Sequence, residues 1–207
     1  MARDTARTRQ LLLEAATAEF SEHGLSGARV DRIAERATVN KERIYQYFGS
    51  KDGLFDAVVA HELGRATADV PIHGTGPEAI GDYAARLLDH VSAHPELPRL
   101  MAWEGLVRGV EVAALERRQA HCLDKVAAVQ AALPGVSREA AGGLLLSIVT
   151  LTDGWHVFPQ LAKLFVGEGE SAARARREHV RALATHLAAE IQGASGLGRG
   201  DDEGNAR

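Results

Sequence analysis

The chain has 207 residues, 45% of them hydrophobic and 25% charged, a balance that suits one globular domain of ordinary size or a small domain joined to a medium one. That composition excludes disorder throughout and collagen-like repetition, and a single cysteine, Cys122, excludes a disulfide framework. With 24 Lys and Arg against 28 Asp and Glu, the net charge is -4, so the molecule as a whole is no polybasic nucleic-acid binder and local charge must decide.

Locally the balance differs. From Met1 to Lys51 stand nine bases (Arg3, Arg7, Arg9, Arg29, Arg32, Arg36, Lys41, Arg43, Lys51) and seven acids (Asp4, Glu14, Glu19, Glu22, Asp31, Glu35, Glu42), a small positive excess in an otherwise acidic chain. The N-terminus carries Asp4, Glu14 and Glu19 where a secretory signal needs an unbroken apolar run, so a cytoplasmic location is expected. The most apolar stretch, Leu144 to Leu151, contains Ser147 and Thr150 and falls far short of the ~20 apolar residues that span a bilayer. No membrane partner is expected.

Period-two alternation is lacking, and the fold class predicted is all-α with about nine helices. The first helix is predicted over Thr5 to His23 from the recurrence of Leu12, Ala16 and Phe20, with Gly24 as its stop. A short second helix over Val30 to Arg36 buries Val30, Ile33, Ala34 and Ala37. A third begins after Asn40, whose side chain can accept from the free amides of the first turn. Gly49-Ser50-Lys51-Asp52 breaks the third helix and opens a fourth with Ser50 as N-cap. A loop follows over Asp69 to Pro77, and further helices are predicted at Pro77 to Ala93, Pro95 to Glu116, Arg117 to Ala132, Ser137 to Phe158 and Ser171 to Gln192. The division expected is a small helical domain over 1–66, a larger helical domain over 67–192, and a Gly-rich disordered tail over 193–207.

Three short helices, the second and third joined by a tight turn, make a helix-turn-helix pattern whose second member enters a major groove. Ile33, Ala34, Val39, Ile44, Tyr45 and Phe48 are expected to wedge the pair together, leaving Lys41, Glu42, Arg43 and Gln46 nearer solvent or DNA. The strings LLEAATAEFSEHG and VDRIAERATVNKERIYQYFGSKDGLFDAV closely resemble the N-terminal DNA-binding domain of the TetR family of transcriptional regulators. The shared spacing runs through Ala15-Ala16, Phe20, Gly24, Ile33-Ala34, Ala37, Val39, Tyr45, Tyr47-Phe48, Ser50-Lys51 and Leu54.

The resemblance implies a homodimeric DNA-binding regulator, more readily a repressor, that binds palindromic double-stranded operator DNA and is released by a small molecule. The alternatives are a TetR-like regulator without a small-molecule ligand, answering to a protein partner or to none, and a helical enzyme or binding protein on the same fold. Two departures stand out. Thr38 occupies a turn position where the family usually has Gly, so it must either take another backbone conformation or tolerate strain. Arg29 stands where a Thr or Ser usually caps the second helix, a loss of about 1 kcal/mol that a reach to a phosphate by Arg29 would offset.

Lys41, Glu42 and Tyr45 are placed by the resemblance at base edges: Lys donates to guanine O6 and N7, Glu accepts from cytosine N4, and the Tyr ring lies against a thymine methyl. Asn40, Tyr47 and Lys51 read as phosphate anchors, Lys51 at a helix N-terminus where amides attract an anion. Arg3, Arg7 and Arg9 are candidates for an arm along the DNA. A pocket lined by Met101, Trp103, Trp155 and Phe158, with Glu104, His121 or His156 orienting the ligand, would suit a small apolar or aromatic effector. Leu144, Ile148 and Leu151 on the eighth helix, with Val180, Leu183, Leu187 and Ile191 on the ninth, are expected at a four-helix dimer interface. No dinucleotide, phosphate-loop or nucleophile-elbow motif occurs. His90 and His94 lack a third ligand at a telling position, and no cofactor or metal is expected.

Overall fold

The computed structural model describes residues 2–112 and 115–197. Among them the chain forms ten helices and no strand: α1 (Ala2–Gly27), α2 (Val30–Ala37), α3 (Lys41–Phe48), α4 (Lys51–Asp69), α5 (Pro77–Ala93), α6 (Glu96–Arg108), α7 (Leu115–Ala132), α8 (Arg138–Val157), α9 (Pro159–Val166) and α10 (Glu170–Leu197). The all-α expectation holds, with corrections at three places. The sixth helix stops at Gly109, which takes a positive φ of 62°, so it ends well before Glu116. Phe158 leaves helical geometry and Pro159 at the first helical position starts α9, an element that the sequence reading omitted. Gly193–Leu197 continues α10 instead of belonging to a disordered tail, while residues 198–207 of that expected tail lie outside the described residues.

The chain divides into two compact units, one built from Met1–Ala66 with His94–Gln119, the other from Thr67–Ala93 with Ala120–Arg207. Helix α6 therefore belongs with the N-terminal helices, not with the larger domain to which the sequence reading gave it. In the first unit Leu12, Leu13, Ala16 and Phe20 of α1 meet Ile33 of α2, Ile44 of α3, Leu54, Phe55 and Val58 of α4 and Leu100 of α6 in one apolar core. The Phe20 and Phe55 rings pack edge to face, 5.2 Å between centroids, the arrangement aromatic quadrupoles favour. Gly24 breaks α1 at φ 67°, ψ 178°. A Cβ built there would lie 2.8 Å from the Trp103 ring, so only glycine lets α6 come this close to the bend.

The second unit gathers Ile80, Tyr83, Leu87 and Leu88 of α5, Val129 of α7, Leu144 and Ile148 of α8 and Val180, Ala184 and Ala188 of α10 around its own core. Arg177 and Arg181 on α10 pair with Asp89 and Asp82 on α5.

The turn between α2 and α3 settles the question raised by Thr38. Its φ of 54° and ψ of 42° are left-handed, and it is the sole non-glycine with positive φ among the described residues. Its N–H donates to Glu35 O and the Val39 N–H to Ala34 O, each at 3.0 Å, so the backbone makes the turn that glycine would make and carries the strain of a β-branched side chain. Thr38→Gly should therefore raise the unfolding free energy by about 0.5–1 kcal/mol, the left-handed penalty less glycine's entropy. A urea denaturation midpoint unchanged or lowered in the variant would contradict that account.

Candidate nucleic-acid interface

Helix α2 starts without a hydroxyl cap, as expected: Arg29 lies in extended backbone and its side chain makes no capping bond. The replacement comes from α1. The Arg29 N–H donates to Glu19 Oε1 at 2.8 Å, and Arg32 Nε donates to the same oxygen at 2.8 Å. Glu19, only 2% exposed, thus brings a negative charge to the positive end of the α2 dipole. Burial alone would raise its carboxyl pKa, but the hydrogen bonds from Arg32 and Arg29, with the charges of Arg32 and His23, hold it below the ordinary carboxylate value.

Helix α3 has eight residues, of which Ile44 alone is fully buried. Asn40 accepts from the Glu42 N–H at 3.2 Å and so caps the helix, and Ser50 accepts from the Gly53 N–H at 2.9 Å to cap α4, both as expected. With Ile44 fixed inward, Lys41, Glu42, Arg43, Tyr45 and Gln46 are all exposed. Tyr45, at 46% exposure, does not join the wedge between the helices as expected: it lies about a quarter-turn round α3 from the buried Ile44. Tyr47 and Phe48 are half-buried against the core, their rings edge to face at 6.2 Å. Arg43 Nη1 donates to Gln46 Oε1 at 3.3 Å. Lys51, half-buried at the start of α4, points its Nζ at Ser26 O, 3.4 Å away.

Lys41 has a partner that the sequence did not announce: its Nζ lies 2.7 Å from Asp31 Oδ1 on α2. The hydrogen bond and charge of Asp31 raise the lysine pKa, and those of Lys41 lower the aspartate's. Arg3, Arg7 and Arg9 lie within α1 and do not precede it as a free arm. Arg9 sits over the Phe48 ring at 5.4 Å, a cation–π contact.

The arrangement is a core-anchored short helix presenting a continuous polar face, flanked by a lysine at a helix N-terminus. A family model described as bacterial regulatory proteins, tetR family, matches residues 12–58, and one described as a tetracyclin repressor-like C-terminal domain matches 79–186. The HTH-type transcriptional repressor SCO4008 of Streptomyces coelicolor is 38% identical over 190 residues, 90% of this chain and 97% of that protein. The chain belongs to the TetR family of transcriptional regulators. The HTH-type transcriptional repressor NicS of Pseudomonas putida is 30% identical over 76% of this chain and 74% of its own. The crystal structure of Streptomyces coelicolor SCO4942 superposes with a TM-score of 0.68 at 30% identity, covering 87% of this chain and 97% of that one. A TetR family transcription regulator from Marinobacter aquaeolei VT8 shares the fold at a TM-score of 0.66 and 21% identity. The protein is thus a DNA-binding transcriptional regulator and not an enzyme.

For a TetR-family chain, the expected effector residues fall in two places. Met101, Trp103 and Glu104 lie on α6 in the first unit, whereas Trp155, His156 and Phe158 lie in the second with His121. Glu104 is 6% exposed and its charge is already met by Arg118 at 2.7 Å, while a second Arg118 nitrogen points at Met101 Sδ, 3.4 Å away. Glu104 is thus committed to the first unit's own packing, while Met101 and Trp103 keep 38% and 37% exposure. In the second unit His156 Nε2 is 3.3 Å from Ser92 Oγ, Trp155 is half-buried and Phe158 exposed. Nearby on α8, burial pushes the Asp153 carboxyl up to about 6, against a hydrogen bond with Thr152 that lowers it. Burial pushes the Tyr83 hydroxyl up to about 12, with Lys125 Nζ 5.2 Å from the centre of its ring.

The expected dimer residues also separate. Leu144, Ile148 and Val180 are fully buried in their own unit and leave no surface for a partner, a correction to the sequence reading. Leu183 is 41% exposed, Leu151, Leu187 and Ile191 are half-buried, and Leu146, at 68%, is an exposed residue the sequence reading passed over. Leu146, Ser147, Thr150, Leu151, Leu183, His186 and Leu187 line one open groove between α8 and α10.

Sequence reasoning missed Glu19 as well. The signal was present: Glu19 falls three residues after Ala16 and four after Ala15, on the inward face of α1, where a charge demands a partner. Glu19→Gln should destabilise the protein by about 1.5–3 kcal/mol at neutral pH through loss of charged hydrogen bonds. Because the folded-state pKa is lowered, the wild-type advantage is complete above the unfolded value and shrinks as pH falls below about 4.5. Denaturation curves of the two proteins that stay equally separated at pH 7 and pH 3 would refute the assignment.

Proposed function

We propose that the protein is a homodimeric, cytoplasmic repressor that binds an inverted-repeat operator and leaves it when a small molecule binds its second unit. The observation that carries the DNA reading is the exposed row on α3, Lys41, Glu42 and Tyr45, held against a core by Ile44. In this reading Lys41 and Glu42 meet base edges, Tyr45 lies on a thymine methyl, and Asn40, Tyr47, Lys51 and Arg29 hold phosphates, with Arg43 and Gln46 beside them. Repression is supported by the names of SCO4008 and NicS, both HTH-type transcriptional repressors. Dimerisation is supported by the apolar groove between α8 and α10, whose leucines a second copy would cover. An effector site in the second unit is supported by half-buried Trp155 and His156 on α8 and by buried Tyr83, which feels the charge of the desolvated Asp153 carboxyl; His121 belongs to the same unit. Aromatic side chains with a few polar groups among them are the composition that suits a small aromatic ligand.

Two expectations test the reading. Lys51→Ala should weaken binding to all duplexes alike and reduce the salt slope by about one, whereas Lys41→Ala or Tyr45→Ala should change base preference at about 1–3 kcal/mol per lost contact. Titrations of labelled duplexes at several salt concentrations measure both, and unchanged binding in all three variants would sink the DNA assignment. Separately, Leu183→Glu with Leu187→Glu should yield a monomer in sedimentation and abolish tight operator binding. A dimer needs half-site centres about one helical turn apart, ~34–36 Å, or a multiple. A wild-type monomer at micromolar concentration would overturn the dimer.

A further inference from the structure

We infer that Asp31 is a positioning residue that sets the base discrimination of Lys41. The inference rests on the proposal that α3 reads the major groove and names a residue outside that helix. Asp31 is the second residue of α2 and Lys41 the first of α3, and their pairing at 2.7 Å closes a bridge across the turn. Both side chains are exposed, at 44% for Lys41 and 55% for Asp31, so the pair adds little to folding stability. What it changes is direction. A lone lysine carries a compact charge on a flexible four-carbon stem with many rotamers, and a wandering ammonium contacts any phosphate or acceptor within reach. Tied to Asp31, it gives one of its three N–H groups to the carboxylate and keeps two, the number that guanine O6 and N7 accept.

The tether is only as good as its anchor, and the anchor is rigid. Val30, Ile33, Ala34 and Ala37 of α2 are buried, and the start of α2 is held by Glu19 through the Arg29 amide and the Arg32 side chain. Asp31 faces a shallow cleft that it shares with Ala34, Glu35, Thr38, Val39 and Lys41. Two acids, Asp31 and Glu35, put negative charge into that cleft beside Lys41, where it opposes any phosphate that Lys41 draws near. Asp31 therefore has two effects of opposite sign. It lowers affinity for DNA of any sequence through repulsion, and it raises the preference for the cognate base through Lys41.

The test uses the full-length protein and a duplex that the wild type selects from a random pool, together with versions in which each base pair of one half-site is replaced. Lys41→Ala first identifies the base pair that Lys41 reads. At that pair Asp31→Asn should lower the preference by about 5- to 10-fold, within the range that one good base contact supplies, while binding to unselected duplex becomes tighter. Asp31→Glu, which restores the carboxylate, should recover most of the preference. Thermal melting of both variants should match the wild type, since the pair is exposed. An unchanged preference profile in Asp31→Asn, an equal loss of affinity for every duplex, or failure of Asp31→Glu to recover the preference would each overturn the inference while leaving α3 as the reader. If Lys41→Ala changes no base preference, the reading of Lys41 itself fails and the inference falls with it.

Discussion

A helix of eight residues does not hold its shape in water, because nucleation costs more than so few hydrogen bonds return. Helices α2 and α3 are both of this length, so the reading head exists only because other elements grip it. Three grips are visible. Ile33 and Ile44 are drawn completely into the core of α1 and α4. Asn40 caps α3 from outside, and Glu19, from the middle of α1, caps α2 across ten residues of chain. The turn between them is then left with one backbone path, which Thr38 follows in the left-handed region despite its branched side chain. Strain at that residue is the counterpart of the fixed angle between the two helices.

An acidic protein that binds DNA must keep its acids away from the phosphates or neutralise them internally. On α4 the first unit does the second. Arg108 of α6 lies 3.2 Å from Asp52 and 2.5 Å from Asp56 of α4 and stacks over Phe55. Glu62 accepts from Thr17 and pairs with Arg65. The first two acids that follow Lys51 on α4 are thereby matched by an arginine from another helix.

Much of the head was legible because its determinants are local. The three-four spacing of Leu12, Ala16 and Phe20, the capping residues Asn40 and Ser50, and the glycine stop at Gly24 each act within one turn of where they stand. Glu19 and Asp31 were harder to read because their partners lie ten residues away along the chain, and charge alone does not name a partner. The second unit was less legible for another reason. Helix α8 is apolar on nearly every side, so its periodicity did not separate Leu144 and Ile148, which face its own core, from Leu146, which faces out. Helix α9 escaped notice because eight residues with no buried side chain leave no inward stripe to detect. The boundary between the units was obscured for a related reason: α6 reads as one more helix in the run, and the packing of Leu100 and Trp103 and the ion pairs of Arg108 with the N-terminal helices assign it.

The seat of Trp103 against Gly24 has an optical consequence. The chain has two tryptophans, and the fold gives one to each unit, Trp103 on α6 in the first and Trp155 on α8 in the second. Trp103 lies against bare backbone at the bend of α1, while Trp155 is half-buried near the end of α8. The intrinsic emission is therefore a sum of two chromophores in separate units, one governed by the packing of α6 against α1 and the other by the surroundings of α8. Replacing either indole by phenylalanine would leave a protein that reports on one unit alone without an attached dye.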